Sequence, residues 1–194
     1  MEGITQRRHE VRQAALPLYS ERAFADVSFA EVAAAAGLTE AELVERFLDT
    51  RSIIADNDYW GLIVSGFRES SDDLSCAAAW VVAIEELAGA LSQEQWDGER
   101  DRIALYQREE LALGGVIAEM SGLLMGLNEA VAERSGLPVT STEVATFSGT
   151  MLGTMLAMPI AFYPDAHTWV AAHGVAFDAL GPGLDRMIRL AAES

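Results

Sequence analysis

Apolar residues recur at every third or fourth position along almost the whole of this chain. Alanine fills 32 and leucine 21 of the 194 positions, and both residues are strong helix formers. The alternation of apolar and polar residues that is typical of strands is almost absent. The spacing therefore predicts an all-α fold. The length fits one compact unit or two small units that share a core.

The charge balance of the chain is strongly acidic. It has 13 arginines, no lysine and 30 acidic residues, and its formal net charge is −17. A surface of this kind repels phosphate and anionic lipid on average. Hydrophobic residues make up 51% of the chain, which excludes a wholly disordered protein. Any role with nucleic acid therefore depends on a local exception to the overall charge.

Two observations favour a cytoplasmic location. The N-terminal residues lack the apolar core of a secretory signal, and the single cysteine, Cys76, has no partner for an intramolecular disulfide. The uncharged run from Val144 to Pro164 has the length of a membrane span. It contains four Ser and Thr residues, two glycines and Pro159. We therefore expect a buried helix of a soluble fold, and no membrane partner.

Two helix-start signals follow each other closely near the N-terminus. Ser28 precedes Glu31 by three residues, and Thr39 precedes Glu42 by three residues, so each pair has the pattern of a capping box. Gly37 lies between them and is typical of a residue that ends a helix in the left-handed conformation. The pattern predicts two short helices joined by a tight turn, the second running over residues 39–47. Such a turn is typical of a helix-turn-helix motif but also occurs in small bundles.

The other helices are predicted from apolar spacing and from the helix-breaking residues between them. The expected ranges are 6–20, 50–65, 73–91, 96–113, 115–134, 141–163 and 165–192, the last with a break at 181–183. Pro17 lacks an N–H, so we expect a kink or a delayed start in the first helix. Residues 1–54 carry 6 arginines and 9 acidic residues, whereas the remainder carries 7 and 21. This difference favours a small N-terminal module and a larger acidic helical body.

The segment from Val11 to Ile54 resembles, in register and without gaps, the N-terminal DNA-binding domain of the tetracycline-repressor-like (TetR) family. The matching residues are Ala14-Ala15, Leu18-Tyr19, Phe24, Ser28, Val32-Ala33, Ala36-Gly37-Leu38-Thr39, Leu43 and Phe47. The resemblance implies a three-helix, helix-turn-helix DNA-binding domain at residues 1–50 and a helical ligand-binding and dimerisation domain at residues 51–194. It also implies a homodimer built from the last two helices, and a ligand-responsive transcriptional regulator that acts as a repressor.

The resemblance implies that the second helix of the motif reads duplex DNA. The candidate DNA-binding residues are Arg7, Arg8, Ser28, Thr39, Glu40, Ala41, Arg46 and Arg51. Arg12 extends the arginine cluster, which we expect to hold phosphates. The alternative for these arginines is a solvated surface without a partner.

The predicted recognition helix departs from the family pattern in its charge. Glu40, Glu42, Val44 and Glu45 stand where the family usually presents small, polar or basic residues. Carboxylates oppose phosphate contacts, although a carboxylate also accepts a hydrogen bond from cytosine. The structural alternatives are a capping role for Glu42 and a favourable interaction of Glu40 with the helix dipole. The second function that stays open is a TetR-like ligand- or protein-binding module that has lost DNA binding.

Methionines and aromatic residues of the predicted body are candidates for a ligand pocket. Methionine is flexible and fits irregular apolar cavities. The candidate pocket residues are Trp60, Trp80, Tyr106, Met120, Leu124, Met151 and Met155. They favour a small apolar ligand, or a cationic one if a glutamate among Glu85, Glu86, Glu109 and Glu110 points inward. Plain core packing is the alternative for each residue, because every bundle has apolar stripes at this spacing.

A stripe of small residues at four-residue spacing runs along the helix predicted at 141–163. It contains Ala145, Gly149, Gly153 and Ala157, and small residues let a second helix approach closely. The resemblance places a second subunit there, so Gly149, Gly153 and Ala157 are the candidate dimer-interface residues. An internal helix contact is the alternative.

No sequence motif points to an enzyme. The chain has no Gly-rich phosphate loop and no G-x-S-x-G motif. His9, His167 and His173 are too few and too far apart for a convincing metal site, and a surface or capping role is expected for each. We therefore expect no catalytic residue, no cofactor and no metal.

Overall fold

The predicted all-α fold is confirmed. The structure is a computed structural model that describes residues 2–55, 58–108 and 110–193, with side chains described at 7–54, 59–105, 108 and 120–193. This part of the chain contains ten α-helices and no strand. The helices are α1 (Glu2–Glu21), α2 (Phe29–Ala35), α3 (Glu40–Val44), α4 (Thr50–Ala55), α5 (Asp58–Glu69), α6 (Cys76–Ala90), α7 (Gln93–Arg108), α8 (Glu110–Ser135), α9 (Thr142–Ala157) and α10 (Ala166–Ala192). Short 3-10 turns occur at Phe24–Asp26 and Ile160–Phe162.

Both predicted capping boxes are present. At the start of α2, the Glu31 amide donates to Ser28 Oγ at 3.3 Å and the Ser28 amide donates to Glu31 Oε2 at 2.8 Å. At the start of α3, the Glu42 amide donates to Thr39 Oγ1 at 3.3 Å and the Thr39 amide donates to Glu42 Oε2 at 2.8 Å. Gly37 has φ +66°, the left-handed conformation that glycine adopts most readily. These local signals place the starts of α2 and α3 where the sequence predicted them, whereas α3 ends at Val44, three residues before the predicted end.

The first predicted helix differs from the observed one at its start. α1 begins at Glu2, four residues before the predicted start, and continues through Pro17 to Glu21, so the predicted delay was wrong. Pro17 is exposed. The backbone carbonyl of Gln13, which a proline four residues later leaves without a helical partner, therefore lies on a face where water can reach it.

The predicted break at residues 181–183 was also wrong, because α10 runs without interruption through Pro182. Packing against α6 accounts for its continuity. A Cβ atom placed on Gly181 would lie 3.1 Å from Ala77 Cβ, so the two helices approach closely there. One turn later, Asp185 Oδ1 accepts a hydrogen bond from the Ala77 amide at 3.0 Å. These contacts with a neighbouring helix hold the segment helical despite its breakers.

Other observed helix ends also differ from the predicted ones. The range predicted as one helix over 50–65 contains α4 and the start of α5. α9 ends at Ala157, six residues before the predicted end. Pro159 follows shortly after it, and a proline cannot donate the amide hydrogen bond that would continue a helix.

Contacts divide the chain into two compact units. The first contains residues 1–58 and 98–120, and the second contains residues 59–97 and 121–194. The core of the first unit is built from α1 to α4 together with Leu105 of α7. The core of the second unit has Phe67, Trp80, Trp96, Phe147 and Trp169 among its largest side chains. The functional division into domains 1–50 and 51–194 stays a prediction.

Candidate functional site

α3 presents an acidic and partly apolar face to solvent. Leu43 is fully buried and anchors the helix in the first core. Glu40, Ala41 and Glu45 are exposed, and Val44 is 59% exposed. The candidate DNA-binding residues Ser28 and Thr39 are exposed as well. The predicted recognition helix is therefore accessible, and carboxylates dominate its accessible face.

Glu42 has the capping role that the sequence offered as its structural alternative. Its carboxylate accepts hydrogen bonds from the amide and the hydroxyl of Thr39, each at 2.8 Å. These bonds favour the ionised form and lower the pKa of Glu42 below its usual value. Glu42 therefore caps the start of α3. Glu40 and Glu45, at the two ends of α3, are the exposed carboxylates that can contact a partner.

Three exposed arginines of the first unit form ion pairs with neighbouring carboxylates. The pairs are Arg7–Glu10 at 2.8 Å, Arg22–Glu31 at 2.6 Å and Arg51–Asp49 at 2.7 Å. Exposed pairs of this kind contribute only about 0–1 kcal/mol, so a phosphate group can replace the carboxylate at small cost. The pairs nevertheless reduce the positive potential that the first unit offers to DNA.

Arg8 and Arg46 lie together beside the end of α3. Arg8 Nη2 donates to the Arg46 carbonyl oxygen at 3.2 Å, and the Arg8 guanidinium lies 5.5 Å from the centre of the Phe47 ring. Arg46 donates to the carbonyl oxygen of Glu42. Both arginines are half-buried.

Arg12 is not available to phosphate, so its assignment to the predicted arginine clamp was wrong. Its side chain is 1% exposed, and Glu99 and Arg102 of α7 are equally buried. Arg12 Nη1 lies 3.7 Å from Glu99 Oε1, and Arg102 Nη2 lies 2.7 Å from Glu99 Oε2. We call these three side chains the buried ion cluster. The cluster lies inside the first unit.

The buried ion cluster donates hydrogen bonds to backbone carbonyl groups at the end of α4. The last carbonyl groups of a helix have no partner within the helix. Arg12 Nε donates to the Ile53 carbonyl at 3.4 Å, and Arg102 Nη1 donates to the Ile54 carbonyl at 3.0 Å. Glu99 and Arg102 are not among the residues that the sequence predicted to be functional. Their side chains point into the core while most of α7 is polar, and no local pattern marks such residues.

The predicted pocket residues are divided between the two units. Trp80, Met151 and Met155 are buried in the second core. Trp60 and Leu124 are half-buried in the second unit, whereas Met120 belongs to the first unit. The side chain of Tyr106 lies outside the described residues. Glu85 and Glu86 are exposed, and the side chains of Glu109 and Glu110 lie outside the described residues.

An aromatic cluster occupies one region of the second core. The rings of Trp96 and Trp169 pack edge to face at 5.7 Å, and the His173 ring lies 4.3 Å from that of Trp169. His173 is 1% exposed, so the surface or capping role expected for it was wrong. Its position on α10 faces the core because Trp169, Phe177 and Ile188 lie on the same buried stripe.

In the second unit, three almost fully buried side chains each have a polar atom with no hydrogen-bond partner among the described residues. These atoms are Trp80 Nε1, Ser148 Oγ and His173 Nε2. Each of these side chains is at most 1% exposed. Buried polar atoms are usually paired, so each unpaired one calls for a physical explanation.

The stripe of small residues on α9 is open to solvent. Gly149, Gly153 and Ala157 are exposed, and a Cβ atom placed on either glycine would meet no described atom within 4 Å. No described helix of the same chain packs on these glycines. Thr142–Phe162 is also the one segment of the described chain that is long and apolar enough to cross a membrane, with 28% of its most apolar window buried. Most of that window is accessible within one chain, so the helix that the sequence predicted to be buried is only partly buried.

The described residues give little support for a metal site or a reactive cysteine. They contain no group of three or more His, Cys, Asp and Glu side chains arranged to hold a metal ion. Cys76 is buried and free, and burial raises the pKa of its thiol, which disfavours the reactive thiolate.

Comparison with known proteins identifies the second part of the chain. Residues 74–193 match the family model of the MftR C-terminal domain, one of the TetR C-terminal domains. The match covers more than half of the chain and includes all of α6 to α10. No curated protein matches the chain.

Proposed function

Because the chain belongs to the TetR family, with a C-terminal domain of the MftR type, we propose that it is a ligand-responsive transcriptional repressor that acts as a homodimer. The observation that supports the DNA-binding role is the pair of capped helices α2 and α3, with the accessible face of α3 turned to solvent. Regulators of this family are soluble, and we propose a cytoplasmic location.

The proposed mechanism couples a ligand in the C-terminal domain to the spacing of two recognition helices. Two α3 helices of a dimer bind adjacent half-sites when they lie about 34 Å apart, one turn of duplex DNA. A ligand that binds more tightly to a dimer with another spacing lowers the affinity of the dimer for DNA. The largest possible loss of DNA-binding free energy equals the difference between the ligand's binding free energies for the two spacings. The ligand class stays as proposed from the sequence, a small apolar or cationic molecule.

The α9 stripe supports the homodimer. Its small residues are accessible, and helices that meet at small residues pack closely. A two-fold dimer brings the same surface of each subunit together. We therefore assign Gly149, Gly153 and Ala157 to the dimer interface. The family is one of regulators and not of enzymes, and no catalytic residue, cofactor or metal forms part of the proposal.

Direct DNA binding tests the proposed function. The full-length protein is titrated against labelled duplex that flanks its own gene, and against duplex of the same length and composition in scrambled order. A specific regulator binds the flanking duplex at least about a thousandfold more tightly. Equal affinity for the two duplexes contradicts the proposal.

One set of observations favours a second function, a ligand- or protein-binding module that has lost DNA binding. Glu40 and Glu45 dominate the accessible face of α3, Arg12 is buried, and the exposed arginines Arg7 and Arg51 pair with carboxylates. Non-specific DNA binding depends on phosphate contacts and is strongest at low salt. Absence of binding to both duplexes at low salt supports this second function.

A further inference from the structure

His173 carries a buried nitrogen that is ready to accept a hydrogen bond. Its Nδ1 lies 3.0 Å from the Trp169 carbonyl oxygen. A carbonyl oxygen only accepts, so Nδ1 carries the hydrogen, and in a neutral ring Nε2 then has a free lone pair. Nε2 has no partner among the described residues, although the side chain is 1% exposed. The acceptor is therefore oriented by its own helix and left unsatisfied.

Burial favours the uncharged form of the His173 imidazole. Burial lowers its pKa below the usual value, against the smaller opposing effect of the bond to Trp169. A neutral imidazole matches an uncharged donor, whereas an ammonium group is better matched by a carboxylate. Glu85 and Glu86 are exposed, which removes two of the carboxylates that the sequence offered to a cation.

Aromatic rings lie next to His173. Trp169 lies 4.3 Å away ring to ring, and Trp96 lies 5.7 Å beyond Trp169. Aromatic walls of this kind bind flat apolar bodies through stacked and edge-to-face contacts. Trp80 lies in the same core and carries an indole N–H without a described partner. The region around His173 thus offers an acceptor and aromatic surface, and the same core holds a donor; such groups are typical of small-molecule sites.

The connection between α9 and α10 lies beside the aromatic cluster. It is held by the indole groups of the aromatic cluster, because Trp169 Nε1 donates to the Met158 carbonyl at 2.9 Å and Trp96 Nε1 donates to the Tyr163 carbonyl at 3.4 Å. Phe162, between these two points, is 69% exposed. Displacing a short connection breaks few hydrogen bonds, whereas separating two long helices exposes much apolar surface.

We infer that His173 Nε2 accepts a hydrogen bond from the hydroxyl group of an uncharged, flat, apolar small molecule bound against Trp96 and Trp169. The inference rests on the ligand-binding part of the proposed function and deepens it, since it selects a neutral hydroxyl compound over a cation. A hydroxyl group donates to an acceptor nitrogen and keeps lone pairs for a donor such as an indole N–H.

Two probes of nearly equal size test the inference, 1-naphthol and 1-methylnaphthalene. Only 1-naphthol donates a hydrogen bond. Calorimetric titration of the full-length protein is expected to give about tenfold tighter binding of 1-naphthol, the usual effect of one good hydrogen bond. In protein labelled with ¹⁵N at histidine, 1-naphthol is expected to shift the Nε2 resonance of His173, and 1-methylnaphthalene is expected to leave it unchanged.

The substitution His173→Phe keeps an aromatic ring and removes the acceptor. It is expected to bring the two probes to about equal affinity. His167→Gln is the matched control, because His167 is exposed on the same helix, and it is expected to keep the tenfold preference. If His173→Phe does not fold, the ¹⁵N measurement on the wild-type protein decides alone.

Three results overturn the inference: binding of neither probe, equal binding of both by the wild-type protein, or a preference that survives His173→Phe. An Nε2 resonance that is hydrogen-bonded in the free protein and unmoved by 1-naphthol assigns the acceptor to a bound water and also overturns it. None of these measurements uses DNA. A failed DNA titration with a positive probe result therefore removes only the DNA-binding part of the proposed function.

Discussion

The carboxylate of Glu99 lies 2.7 Å from the guanidinium of Arg102, and both side chains are almost completely buried. Taking two such charges out of water costs several kcal/mol each, and their attraction offsets that cost only when further hydrogen bonds are made. Here the further bonds go to the carbonyl groups of Ile53 and Ile54 at the end of α4. The buried ion cluster therefore joins α1, α4 and α7 within the first unit.

Glu99→Gln is expected to destabilise the protein. It leaves Arg12 and Arg102 buried without their shared counter-charge, and removal of one partner from a buried pair costs about 3–5 kcal/mol. The free energy of unfolding, measured by urea titration, is expected to fall by about that amount. Glu94→Gln is the control on the same helix, since Glu94 is exposed and exposed substitutions change stability by about 0.5 kcal/mol or less. Equal effects of the two substitutions contradict the structural role of Glu99.

Sequence patterns predicted the parts of this fold that depend on neighbouring residues. The two capping boxes and Gly37 were predicted because each bond joins residues three positions apart. The buried ion cluster and the continuity of α10 through Pro182 were missed, because they depend on contacts between helices distant in sequence. His173 was assigned to the surface for the same reason. No local pattern shows which face of α10 meets α6.

Gly37→Ala tests the turn between α2 and α3. Gly37 has φ +66°, and a non-glycine residue in that conformation costs about 1–2 kcal/mol. The free energy of unfolding is expected to fall by that amount. Gly61→Ala is the control, because Gly61 lies inside α5 with no described atom within 4 Å of an added Cβ. Alanine there is expected to raise stability by up to about 1 kcal/mol, and a loss at Gly61 equal to that at Gly37 contradicts the argument.

Acid is expected to weaken the helix-turn-helix through its capping boxes. Hydrogen bonds lower the folded-state pKa of Glu31, for which Arg22 is the largest cause, and of Glu42, for which Thr39 is. A carboxyl group with a lowered folded-state pKa stabilises the fold above its unfolded pKa, about 4.3. That stabilisation is lost as the pH falls through the folded-state value.

Urea titrations from pH 7 down to pH 3 measure this loss. The double variant Glu31→Gln, Glu42→Gln is expected to be less stable than the wild type at pH 7. Its stability is also expected to fall less steeply below about pH 4.3, because two of the linked protons are gone. The same steepness in both proteins contradicts the capping argument.

DNA binding, where it occurs, is expected to depend weakly on salt. The arginines of the candidate site that reach solvent are Arg7, Arg8, Arg46 and Arg51, so about four phosphates are neutralised per subunit. The plot of log affinity against log salt is then expected to have a slope of about −4 per subunit. A much steeper slope shows that other cations reach the DNA.

The charge of α3 is tested by the double substitution Glu40→Arg, Glu45→Arg. Two carboxylates on the accessible face become cations, so non-specific DNA affinity is expected to rise several-fold and the salt slope to steepen. Glu85→Arg with Glu94→Arg makes the same change in net charge on exposed positions of the second unit. It is expected to have a much smaller effect. Equal effects of the two double variants indicate that α3 does not face DNA.

The open stripe on α9 predicts a stable dimer that a bulky side chain weakens. Gly153 is exposed within one chain, and a leucine there holds closely packed helices apart, at a cost of about 1–3 kcal/mol for each copy. Sedimentation equilibrium at micromolar concentration is expected to show a dimer for the wild type and a substantial monomer fraction for Gly153→Leu. Gly61→Leu, at an exposed position of α5, is the control and is expected to stay dimeric. A monomeric wild type, or a Gly153→Leu dimer as tight as the wild type, contradicts the assignment of α9 to the interface.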